Sequence, residues 1–216
     1  MKLTLAAFSL AGLVSLTATG RGATFITTSP TASFFPGQGY TLGTFFTVGA
    51  VSETVSALGM WDDQANGFAF SHDIKIWNTT THLAVATATV SAGTSAVLDA
   101  GSVNGSGGFR YQSITPVSLL TGQAYVIGAY YSSADSSDTQ ATPAGGQQVS
   151  AAFTNISSAF TASASLGSIS EPNSTLVSGV GYAGPSFQYT AAPEPSAFGL
   201  LGMTAMGLLG MRRRVR

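Results

Sequence analysis

In the stretch "DDQANGFAFSHD", Asp62, Gln64, Asn66 and Gly67 take the first, third, fifth and sixth places of a twelve-residue loop that ends on Asp73. Oxygen donors at alternate positions wrap a hard cation such as calcium, and a glycine permits the sharp turn between them. The ligand set is thin for that purpose. Its third place carries a neutral amide and its last a short Asp where a bidentate Glu is usual. The flanking residues read as strands, and an Asp/Asn/Gly hairpin turn uses the same letters with no metal.

Other chemistry is sparse. The two histidines, His72 and His82, stand at the start of a strand and in a Thr-rich turn, and no G-x-S-x-G or H-E-x-x-H accompanies the many serines. The chain has no cysteine, hence no thiol nucleophile, thiolate metal site or disulfide framework. These absences argue against an enzyme. An exposed aromatic ring gives a sugar an apolar platform, and in "HDIKIWN" the alternation places Trp77 opposite Ile74 and Ile76, toward solvent. Trp61 is expected to close one end of the core.

Charge narrows the classes further. Charged residues make up 8% of the 216 residues, against about 25% in an average domain. Most bases sit near the ends. Between Thr24 and Ala191, Lys75 and Arg110 face eight acids, Glu53, Asp62, Asp63, Asp73, Asp99, Asp135, Asp138 and Glu171, leaving −6. A nucleic-acid groove needs clustered Lys and Arg, so no nucleic-acid partner is expected.

The elements that position these residues are short. Strands are predicted over Tyr40–Val48, Thr54–Trp61, His72–Asn78, Leu83–Val90, Phe109–Ile114 and Ala124–Tyr131, with others near Val149–Thr154 and Pro185–Thr190. "DDQANG", "NTTT", "NGSGG" and "PVSLLTGQ" read as turns, and Ser132–Gln148 as a long surface loop. Sheets with one apolar face must cover each other, which points to an all-β, two-sheet antiparallel sandwich, jelly-roll-like, over residues 24–191.

Residues 1–23 have a basic second position, an apolar run from Leu3 to Leu16 and small residues after it, the layout of a secretory signal peptide. Cleavage after Gly20 puts Ala18 at the −3 position; cleavage after Ala23 puts Arg21 there, a poorer fit. Residues 192–216 form a second signal. The apolar run Ala197–Met211, as a helix, covers about 22 Å of a hydrocarbon core about 30 Å thick. Arg212, Arg213 and Arg214 supply a stop-transfer element, and the prolines before the run keep the preceding segment extended.

The order Pro193-Glu194-Pro195, short apolar helix, arginine cluster resembles the PEP-CTERM sorting signal of exported bacterial proteins. The resemblance implies that Pro193, Glu194 and Pro195 are recognised by an exosortase, a membrane-embedded cysteine protease. It further implies a product associated with exopolysaccharide, biofilm or the cell surface. Within the body, "TVSALGMWDDQANGFAFSHDIKIWN" and "FRYQSITPVSLLTGQAYVIGAYY" resemble a β-sandwich domain of unassigned function that recurs in exported proteins of this kind. The expectation is an exported surface or matrix protein, membrane-anchored as a precursor. A carbohydrate-binding module with the same delivery is the alternative, and a secreted hydrolase the next.

Overall fold

Alternation decides which way each strand faces. In β2 (Tyr40–Val48), Leu42, Thr44, Phe46 and Val48 turn inward while Thr41, Gly43, Phe45 and Thr47 turn outward; in β4 (His72–Asn78), Ile74 and Ile76 are fully buried on the inner side. The structure, a computed structural model, describes residues 22–27, 39–103, 107–132, 149–162, 165–175 and 184–192. The leader up to Arg21, all but the first residue of the stretch Ser132–Gln148, and the tail from Pro193 onward lie outside them.

The remaining strands are β1 (Ala23–Thr24), β3 (Glu53–Asp63), β5 (Ala84–Val90), β6 (Val97–Leu98), β7 (Gly107–Leu119), β8 (Ala124–Tyr131), β9 (Phe153–Ala162) and β10 (Pro185–Ala191). They form two sheets with orders β1-β10-β3-β7-β6 and β5-β4-β8-β2-β9, and every pairing is antiparallel. No described residue is in an α-helix, and no helix among them is long and apolar enough to cross a membrane.

The sheets meet face to face. Phe46 from β2 packs on Phe187 from β10 with ring centroids 5.5 Å apart, and Phe25 joins both at 4.9 and 4.5 Å. Phe153 completes this aromatic end, within 5.2–5.4 Å of Phe25, Phe46 and Phe187. At the other end of β8, Tyr131 reaches toward Met60 and His72.

Some sequence boundaries shift. β7 runs on to Leu119, through the expected turn at Pro116. Val55 pairs with Val117 but Ala57 pairs with Ser113, so Ile114, Thr115 and Pro116 bulge opposite Ser56. A proline in a bulge removes no ladder hydrogen bond, and the strand survives it. β9 extends to Ala162 through a Ser- and Ala-rich run because β2 supplies partners for it, Leu42 opposite Phe160 and Thr44 opposite Ser158. Ala23, placed by sequence at the end of the leader, pairs with Tyr189 inside the first sheet.

Candidate functional site

The calcium-loop letters serve another purpose. Asp62, the penultimate residue of β3, has no solvent exposure, and its carboxylate accepts Arg110 Nε–H at 2.6 Å and the Gly67 N–H at 2.9 Å. Arg110, on β7, also donates to the carbonyls of Ala65 (3.2 Å), Thr94 (3.3 Å) and Ala96 (3.1 Å). One guanidinium thus ties the β3–β4 loop to the β5–β6 connection. Gln64 and Ala65 lie in the left-handed region at φ 61° and 54°, and Gly67 at φ 100°, so this carboxylate and guanidinium hold a turn the backbone resists. Asp73 belongs to the other sheet and accepts from Thr89 Oγ1 at 2.6 Å and from the Gly167 N–H.

Asp62 and Asp73, expected to close on one cation with Gln64 and Asn66, therefore spend their oxygens on separate protein partners. Among the described residues no group of three or more His, Asp or Glu is placed to hold a metal. The partner that sequence reasoning missed is Arg110. Its signal was its rarity, one of two bases in the body, set between the aromatic Phe109 and Tyr111.

Trp77 does face outward from Ile74 and Ile76, yet it is only 5% exposed. The segment Ser165–Thr175 crosses the outer face of the second sheet and sets Ile169 against Trp77, Val126 and Ala159. The same segment places Pro172 over Gly128, where a Cβ would come within 2.9 Å of the proline ring. It is held at Gly167 by Asp73, at Glu171 by His82 (2.9 Å), and at Ser174 by backbone bonds to Phe160. The expected sugar platform at Trp77 is corrected by this cover: the ring is a packing residue under a strap. Trp61 is also fully buried, against Phe109 at 5.2 Å.

The histidines take structural posts. His72 is buried, and its Nδ1–H donates to the Tyr130 carbonyl at 3.0 Å. His82 is mostly exposed and faces Glu171. A recess of about 410 Å³ on the outer face of the first sheet is lined by Ala57, Tyr111, Ser113 and Gln188, but the Tyr111 ring is buried with its hydroxyl on Ser186.

The C-terminal junction is the remaining place where sequence signals meet geometry. β10 lies between β1 and β3, pairs with β3 up to Ala191 opposite Glu53, and ends with the Ala192 N–H on the Ser52 carbonyl at 2.8 Å. The next residue is Pro193. Glu53 beside this junction is buried, its Oε2 has no hydrogen-bond partner among the described residues, and burial pushes its carboxyl above the ordinary range. Burial also raises the Tyr189 phenol. Its hydrogen bond from or to Ser150 opposes that shift, and the charge of Glu53 adds to it. Pro193, Glu194, Pro195, Arg212, Arg213 and Arg214 lie outside the described residues. Comparison with known protein families, with curated proteins and with solved structures finds no match for this chain.

Proposed function

We propose that this chain is an exported bacterial surface or extracellular-matrix protein, delivered by its N-terminal signal and sorted through its C-terminal tail. The single observation that carries this reading is the order of the last 24 residues: Pro193-Glu194-Pro195, an apolar run too short for a comfortable span, and an arginine cluster. The body fits such a life. It is acidic, free of cysteine and rich in hydroxyls, and its last strand is held by β3 up to Ala191, by the Ser52 carbonyl at Ala192, and by β1 at Gln188 and Tyr189. Cleavage within or after the triplet by an exosortase-type protease then releases an intact domain. Transient membrane association through the tail helix precedes that step, and exopolysaccharide is the partner the delivery route suggests.

The domain itself is read as a jelly roll flanked by two helical signals. Strands β1-β10-β3-β7 face β5-β4-β8-β2, the interleaving that two Greek keys produce, with β6 and β9 added at edges. Its role is structural, with no enzymatic step. Replacing Pro193, Glu194 and Pro195 by alanine tests the sorting. Export is expected to continue while a longer, membrane-associated form accumulates, and unchanged processing would count against the reading.

A further inference from the structure

We propose that the leader is cut upstream of Gly22, at the Gly20–Arg21 bond, because the fold uses Ala23 and Thr24 as its edge strand. The inference rests on the export reading above and fixes a processing site that the sequence left open between two positions.

Ala23 pairs with Tyr189 and Thr24 with Gln188 on β10. Immediately after them Phe25 is fully buried, its N–H donates to the Phe187 carbonyl at 2.9 Å, and its own carbonyl accepts the Ser150 N–H at 2.9 Å. Its ring touches Phe46, Phe153 and Phe187, which come from both sheets. Ile26 continues the attachment, with its N–H on Ser186 Oγ at 3.3 Å and a bridge to Val149. The segment 22–27 is thus tied to the fold, with Phe25 and Ile26 in the core.

A product that began at Thr24 would lose the Ala23–Tyr189 pair. It would also place the chain terminus immediately before the fully buried Phe25, whose hold on the core β1 leads into. A product that begins at Arg21 keeps β1 whole and leaves its ammonium two residues outside the strand. Hydrolysis of Gly20–Arg21 consumes one water, leaving a carboxylate on Gly20 of the leader and the α-ammonium on Arg21. The same cut puts Ala18 at −3, where leader peptidases take small side chains.

The full-length gene expressed in an exporting bacterial host, followed by N-terminal sequencing of the exported protein, tests this. A start at Arg21 is the expected result; a start at Gly22 or Ala23 in most molecules overturns the cut at the Gly20–Arg21 bond. A start at Thr24 or later in most molecules overturns the inference while leaving export intact. Exported chains that still carry Met1 overturn this inference alone, and chains that stay in the cytoplasm with Met1 in place overturn the export reading and this inference with it. As a second arm, Ala18→Phe is expected to reduce processing at least tenfold, whereas unchanged processing would show that Ala18 is not at −3 and overturn the cut after Gly20.

Discussion

The two ends of the inter-sheet space are filled by opposite chemistry. At the Tyr125 end of β8, Phe25, Phe46, Phe153 and Phe187 interlock with no ionised partner among them; at the Tyr131 end, Asp62 and Arg110 are buried as an ion pair beside a strained turn. The aromatic end gathers rings from the segment after Ala23, from β2, from β9 and from β10, so it joins the first and last described parts of the chain. The charged end joins two loops in the middle of the chain. Apolar rings contribute separately in proportion to the area they bury, whereas each member of an ion pair depends on the other to offset its desolvation.

That difference can be broken from the charged end first. Arg110→Met leaves Asp62 buried without its counter-ion and strands the carbonyls of Ala65, Thr94 and Ala96, with an expected loss of about 3–5 kcal/mol. Adding Asp62→Leu is expected to recover a large part of the loss, a coupling readable from chemical denaturation of the four members of the cycle. At the aromatic end, Phe25→Ala should cost about 3–4 kcal/mol, or about 10 °C in Tm, by leaving a cavity between the sheets. Here no second substitution rescues: Phe25→Ala with Phe187→Ala should be worse than either alone.

A smaller effect concerns Glu53. Its folded carboxyl binds a proton more tightly than the unfolded one, whose reference value is 4.5. Its burial therefore costs nothing below that value and destabilises progressively as pH rises through the folded pKa. Glu53→Gln should accordingly raise Tm by roughly 1–3 °C at neutral pH and leave it unchanged near pH 4, as followed by circular dichroism. The smallest expected effect is that of chelation. With Asp62 and Asp73 engaged in separate sheets, EDTA should shift Tm by less than about 1 °C, and a loss of many degrees restored by calcium would count against the geometry around Arg110.

What could be read from sequence followed the range of the interactions. β4 was legible because Ile74 and Ile76 alternate with Asp73 and Lys75, a signal contained in seven residues. The burial of Trp77 was not, because its cover is Ile169, which arrives 92 positions later in a polar segment with two apolar anchors. Asp62 looked like a ligand for the same reason. Its true partner lies 48 residues away on a strand that becomes its neighbour only once the sheet forms. Pro116 was misread because a bulge is a property of two strands and a proline is a property of one.

Peptide mapping of the native exported protein by mass spectrometry, directed at its C-terminus, tests the central proposal most directly. The account predicts that most extracellular molecules end at or near Pro193-Glu194-Pro195, with the locked strand Pro185–Ala191 retained and the arginine cluster absent. Recovery of an intact peptide ending at Arg216 from most of those molecules would contradict it.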